Sequence, residues 1–157
     1  MHKKIFISCF LLVICLCVFS CSFVKPDELS ESIDVKNWNL SGDTFSHDPT
    51  IIKTDEGYWS FFTANHIGRK FSKDGRTWIS KDPVFATFPS WWKTYVPQKT
   101  DANIWAPEIV FYNNTYYLFY SDSTFGSKIS CIGLLSAQSL DTPTGQWKDL
   151  GMVISSS

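Results

Sequence analysis

An internal repeat at an offset of 58 residues constrains what this chain can fold into more than any other feature. Setting Pro49 on Pro107 places Ile51-Ile52 on Ile109-Val110, Tyr58-Trp59 on Tyr116-Tyr117, Phe61-Phe62 on Phe119-Tyr120 and Thr63 on Ser121. Each copy reads as an apolar strand, a polar turn (Thr54-Asp55-Glu56-Gly57 or Tyr112-Asn113-Asn114-Thr115) and an aromatic strand, which is a hairpin with its turn chemistry in place. Ile67-Gly68 and Ile132-Gly133 open a third strand. Asp74-Gly75-Arg76-Thr77-Trp78 and Thr144-Gly145-Gln146-Trp147 are turns leading into a Trp, and Pro83-Val84-Phe85 and Gly151-Met152-Val153-Ile154 close each unit. No segment carries a helical period, so the prediction is an all-β fold built from units of about four short strands. Four-stranded units repeated along a chain point to propeller blades, with an ordinary β-sandwich as the competing arrangement. Small propellers need at least about four blades. Two units therefore predict the N-terminal part of a longer domain, with open strand edges and an incomplete core that favour aggregation.

The first residues have a different character. His2, Lys3 and Lys4 precede an apolar run from Ile5 to Phe19, which is short for a membrane span and suits a signal h-region. Residues 1–20 are thus predicted to be a signal peptide, residues 21–37 a polar tether and residues 38–157 the β domain. Val18-Phe19-Ser20-Cys21 resembles a bacterial lipobox. That resemblance implies cleavage before Cys21, lipidation of its sulfur, and an exported, membrane-anchored lipoprotein in the periplasm or at the cell surface. An ordinary secretory signal is the alternative. Cys9, Cys15, Cys17 and Cys21 all lie in or at the end of this leader, which leaves Cys131 in the domain without an internal disulfide partner. Its setting, Ile129-Ser130-Cys131-Ile132-Gly133, reads as a buried strand residue.

Removing Lys3 and Lys4 from the 14 basic residues leaves 12 against 15 acidic ones, with no basic run or stripe. A nucleic-acid partner is excluded on that ground. Aromatic residues make up 17% of the chain, including seven Trp. Most of these rings suit the half-buried, pleated surface of a β core. The remainder are candidates for stacking on sugar rings.

Chemistry can begin at His47-Asp48-Pro49. Asp48 stands at the start of the first strand of its unit, and in a propeller such strands line the central channel. Taken by itself, Asp-Pro is equally a turn that starts a strand. Around it lie Pro89-Ser90-Trp91-Trp92, Ile104-Trp105-Ala106-Pro107-Glu108-Ile109, Tyr120-Ser121-Asp122-Ser123-Thr124-Phe125-Gly126-Ser127 and Trp147-Lys148-Asp149-Leu150-Gly151-Met152-Val153-Ile154-Ser155. In order and spacing these resemble glycoside hydrolase family 43, and within it the endo-1,5-α-L-arabinanases, over roughly Phe45 to Ser155.

The resemblance implies a five-bladed propeller that hydrolyses α-1,5-linked L-arabinan, a side chain of plant pectin, with inversion. It implies Asp48 as general base, and a further Asp and an acid Glu beyond Ser157. Inversion needs two carboxyl groups about 6.5–9.5 Å apart with water between them, one ionised and one protonated. Residues 22–157 are accordingly expected to be inactive alone. Trp105, Phe125, Gly126 and Ser127 are the expected substrate contacts, with Trp91 and Trp92 divided between core and groove rim. His47 and Glu108 are given supporting roles. In the repeat, Asp48 falls on Ala106, so Glu108 lies two residues further along its strand, on the same side but a step away. The family usually has Asp there. No cofactor is required for the chemistry and no metal ligands are assigned here, although the family implies a structural calcium in the complete propeller. The expected partners are a poly- or oligosaccharide substrate and the lipid anchor, with the complete protein a monomer. Two alternatives stand beside this reading: an exo-acting α-L-arabinofuranosidase or β-xylosidase of the same family, and a non-catalytic glycan-binding surface lipoprotein.

Overall fold

The computed structural model describes residues 39–156. The segments predicted to be signal peptide and tether, with Cys21, lie outside the described residues. Within them the chain forms β1 (Ser41–Gly42), β2 (Thr50–Thr54), β3 (Gly57–Phe62), β4 (Ala64–Asn65), β5 (Gly68–Ser72) and β6 (Thr77–Lys81). A single helical turn, α1 (Trp92–Tyr95), is followed by β7 (Asn103–Tyr112), β8 (Thr115–Ser123), β9 (Ser130–Ala137) and β10 (Lys148–Ser155).

The strands make two antiparallel meanders, β2-β3-β5-β6 and β7-β8-β9-β10. They coincide with the two copies of the repeat. Each meander gains one short strand: β1 adds parallel to β6, and β4 crosses over from the first unit to pair with the start of β7. Neither sheet closes on itself. The all-β expectation is met, and the two four-stranded units are found where the repeat places them.

Local chemistry explains the matching geometry. The β7–β8 hairpin closes with Tyr112 paired to Thr115, and the two loop residues Asn113 and Asn114 have φ of 46° and 57°. Two positive φ values in a two-residue loop are the type I′ turn, whose twist suits antiparallel strands and which asparagine tolerates. The glycines that open the third strands have a shared role. Phe62 pairs across the sheet with Gly68, and Tyr120 with Gly133. A Cβ on Gly68 would lie 2.4 Å from the Phe62 ring, and one on Gly133 would lie 2.3 Å from the Tyr120 ring. Each unit thus lays an aromatic ring over a glycine in the neighbouring strand, a repeated packing that only a missing side chain permits.

The core lies between the sheets and gathers Trp59, Phe61, Ile67, Ile104, Leu118 and Leu135, among others. Full burial of such a side chain is worth roughly 1.5–3 kcal/mol. Trp147 meets Phe61 edge-on at 5.7 Å, and Phe85 meets Tyr120 edge-on at 5.3 Å.

Two local readings of the sequence need correction. Pro83-Val84-Phe85 is not a strand, because the fourth strand of the first unit is already complete at Lys81. The segment instead runs through the core as irregular chain, with Val84 and Phe85 buried. Its backbone is satisfied by Val84 N–H to the Ile67 carbonyl, Phe85 N–H to the His66 carbonyl, and Gly145 N–H to the Val84 carbonyl. Buried Arg69 reinforces the arrangement, donating from Nε to the Asp82 carbonyl (2.6 Å) and from Nη1 to the carbonyls of Leu140 (3.0 Å) and Thr142 (2.7 Å). The second correction is α1, a helical turn where no helix was expected. One turn has no independent stability. It is held by Trp92, buried edge-on against Phe88 at 5.6 Å.

Candidate active site

Asp48 sits two residues before β2 with φ of 46°, in the left-handed region. A residue preceding proline is normally driven to extended conformations, and a non-glycine residue in the left-handed region costs roughly 1–2 kcal/mol. Strain of this kind persists only where surrounding contacts hold it, and it concentrates at functional positions. Here the contacts are explicit. His47 Nδ1 lies 2.8 Å from Asp48 Oδ2. The Thr63 hydroxyl donates to the same oxygen at 2.9 Å. The Thr63 N–H donates to the His47 carbonyl, also at 2.9 Å. Upstream, buried Lys70 reaches the carbonyls of Asp43 (3.0 Å) and Phe45 (2.7 Å) and fixes the segment leading into His47. The Asp48 side chain remains 44% exposed. Among the described residues Oδ1 has no hydrogen-bond partner, so that oxygen is free to take a proton from water.

The second unit reaches this segment through the Ala106 N–H, which donates to the Thr63 hydroxyl at 2.8 Å. Trp105 is half-buried in β7, opposite Ser121 of β8. The pairing slips between Trp105 and Glu108, so Ala106 and Pro107 form a bulge. Bulges re-aim neighbouring side chains. Against the Trp105 ring lies a buried cation that carried no signal in the sequence. Lys99 Nζ is 5.5 Å from the Trp105 ring centroid, 3.1 Å from Asp101 Oδ1, 3.1 Å from the Ser123 carbonyl and 3.1 Å from Asp122 Oδ1. The Lys99 and Asp122 side chains are 0% and 2% exposed. Burial raises the Asp122 carboxyl above the usual carboxylate range, with Lys99 acting against the rise. This ion pair ties the long loop before β7 to the end of β8, where the Phe125 turn begins.

That turn runs from Thr124 to Ser127, closed by the Ser127 N–H on the Thr124 carbonyl at 2.9 Å. Gly126, with φ of 79°, occupies the third position, and Phe125 before it has no positive φ. This is the type II pattern, which favours glycine there. No atom lies within 4 Å of a Cβ built on Gly126, and Phe125 is 93% exposed. An exposed ring beside open backbone can meet a ligand without rearrangement.

The remaining sequence-predicted residues are placed as follows. Glu108 is exposed on β7 opposite Phe119, and no hydrogen bond or ion pair joins it to Asp48. Trp92 is buried, whereas Trp91 is half-buried and donates from Nε1 to Asp149 Oδ2 at 2.8 Å. Cys131 is buried in β9, and burial pushes its thiol up to about 11. Among the described residues no three of His, Cys, Asp and Glu come together as a metal cage. A groove of about 450 Å³, lined by Asp55, Glu56, Trp59 and Asp141 among others, lies at the turn end of β2. Asp48 is at the other end, so the groove is separate from the carboxylate chemistry. Thr63 and Lys99 are the contributors the sequence reading missed. The only available signal was the alignment of Thr63 with Ser121, which gave no hint of its partners.

Residues 32–157 match the model of glycosyl hydrolases family 43. The chain is 41% identical over 123 residues to the extracellular endo-α-(1→5)-L-arabinanase 1 of Bacillus subtilis, covering 76% of this chain and 37% of that protein. It is 36% identical over 112 residues to the extracellular exo-α-(1→5)-L-arabinofuranosidase of Cellvibrio japonicus, covering 70% of this chain and 32% of that protein. The solved endo-arabinanase of Bacillus licheniformis superposes with a TM-score of 0.69 at 43% identity, covering 75% of this chain and 40% of that one. The chain therefore spans about a third of the length of these curated relatives. With the repeat, the sheet topology and the matched sequence in agreement, the chain belongs to glycosyl hydrolases family 43.

Proposed function

We propose that this chain carries the general-base side of an inverting glycosidase that cleaves internal α-1,5 links in L-arabinan. The observation that carries the reading is Asp48: a strained carboxylate before proline, with Oδ2 engaged by His47 and Thr63 and Oδ1 left for water. An engaged oxygen orients the group, and a free one can accept the proton of the attacking water. A single carboxylate cannot also protonate the leaving oxygen, so the reaction needs a second carboxyl about 6.5–9.5 Å away. The family resemblance assigns that role to a Glu. Trp105 and Phe125, with Gly126 and Ser127, form the sugar-binding wall. In this reading the two sheets are the first two blades of a five-bladed, monomeric propeller, and any calcium in the complete propeller is structural.

Export follows from the leader and agrees with the extracellular naming of both curated relatives. Attachment through Cys21 would keep the enzyme at the membrane. Cys21→Ser should release it from membranes, and unchanged membrane association would refute the anchor.

Exo action is the second reading, favoured by the similarity to the exo-acting Cellvibrio enzyme. The product pattern from linear arabinan separates the two, since endo cleavage gives a ladder of oligosaccharides and exo cleavage gives small products from the outset. The base assignment is tested by Asp48→Asn in the full gene product. Turnover should fall by about 10²–10⁴-fold, with binding of arabino-oligosaccharide retained. Surviving turnover would exclude Asp48 as the base.

A further inference from the structure

We propose that Thr63 is a positioning residue for the Asp48 carboxylate, its hydroxyl joining that carboxylate to the bulged strand of the second sheet at Ala106. The inference rests on the reading of Asp48 as general base.

The Thr63 hydroxyl has one proton to give and lone pairs to receive with. It receives the Ala106 N–H at 2.8 Å and gives its proton to Asp48 Oδ2 at 2.9 Å. With a lone pair fixed by a backbone donor, the proton is directed at the carboxylate. The Thr63 N–H holds the His47 carbonyl at 2.9 Å, so the same residue grips both the backbone leading into Asp48 and the Asp48 side chain. Thr63 lies between β3 and β4, where the chain leaves the first sheet to pair with β7. A hydroxyl there can touch both units.

Comparison of the two units shows that the fold alone does not call for this bridge. Thr63 corresponds to Ser121, but Asp48 corresponds to Ala106. Among the described residues the Ser121 hydroxyl makes no equivalent bond, and the second sheet forms without it. The bridge exists only where there is a carboxylate to hold. Its consequence is a choice of oxygen: Oδ2 is occupied from two sides, and Oδ1 is presented for proton transfer. Ala106 has no hydrogen-bonding side chain to offer, but its N–H, set free of the ladder by the bulge, sets the hydroxyl's direction.

The test compares Thr63→Val, Thr63→Ala, Thr63→Ser and Asp48→Asn in the full gene product, with linear arabinan as substrate. Loss of the hydroxyl in Thr63→Val should lower kcat about tenfold while KM stays within about twofold, because the contact orients the base and touches no sugar. Thr63→Ser should restore kcat to within about twofold of the wild type, since it keeps the hydroxyl. If Thr63→Val does not fold, Thr63→Ala is compared with Thr63→Ser by the same criteria. If neither hydroxyl-free variant folds, the residue is structural and the proposal fails. Wild-type kcat in Thr63→Val or Thr63→Ala overturns it, as does a Thr63→Ser variant as slow as Thr63→Val. An Asp48→Asn enzyme that still turns over refutes the base assignment itself. An inactive Asp48→Asn beside a normal Thr63→Val refutes only the positioning role.

Discussion

Asp48 and Ala106 share one backbone conformation: each precedes a proline, and each lies in the left-handed region, at φ of 46° and 42°. They occupy equivalent places in the two copies of the repeat, so the strain belongs to the unit as well as to the carboxylate. Ala106→Gly removes the steric cost of a Cβ in this region and should leave stability unchanged or raise it by up to about 1 kcal/mol. Ala106→Val places a β-branched side chain there and should lower it by about 1–2 kcal/mol. Urea denaturation midpoints of the two variants check the order.

Phe125 contributes exposure rather than packing. Removing a ring that is 93% exposed should change stability by no more than about 0.5 kcal/mol. If the ring meets sugar, Phe125→Ala should still raise KM for arabinan, by about two- to tenfold for a contact of ~0.5–1.5 kcal/mol. Melting temperature and KM measured on the same preparation separate the two effects.

Lys99 and Asp122 form a buried pair whose members are unequal to lose. Lys99→Met leaves a buried carboxylate uncompensated, at a cost of about 3–5 kcal/mol, whereas replacing both residues with apolar ones should cost much less. The pH dependence has a defined sign. Burial raises the folded-state value of Asp122, so the native state holds that proton more tightly than the unfolded chain. The penalty in Lys99→Met should therefore be absent below the ordinary carboxylate value of ~3.9 and grow as pH rises through the raised one. Denaturation of Lys99→Met and the double variant between acidic and neutral pH reads this out.

Asp74 shows the opposite behaviour. It accepts the N–H groups of Thr77 and Arg76 and the Ser72 hydroxyl, and these bonds hold its carboxyl down at about 2. A lowered value contributes stability above the unfolded value of ~3.9 that is lost as pH falls through the folded one. Asp74→Ala should thus melt below the wild type near neutral pH, and the gap should close as pH approaches 2. A gap independent of pH would exclude the ionised cap as its source.

Much of this architecture was legible because β structure writes itself into sequence at short range. Alternation, turn residues and a 58-residue repeat specify which segments pair, and Gly68 and Gly133 mark the strands that must accept a ring from Phe62 and Tyr120. Pro83-Val84-Phe85 was misread for a related reason: an apolar triplet signals burial, but burial in a strand and burial in irregular chain look alike. Trp105 and Phe125 are expected at the site from the family resemblance, and a motif reveals residue types but not what holds them.

The sequence by itself determined the four main strands' repeat in each unit, the family, and Asp48 as the candidate carboxylate. The tertiary structure decided how that carboxylate is held. Thr63 reaches Ala106 across 43 residues, and Lys99 reaches Asp122 from a loop whose path follows no period. The Thr63 hydroxyl is placed where the chain passes from one sheet to the other, and the Lys99 ammonium where the loop before β7 folds onto the end of β8. Such a group leaves no periodic trace in the chain, because its partners are brought near only after both sheets have formed.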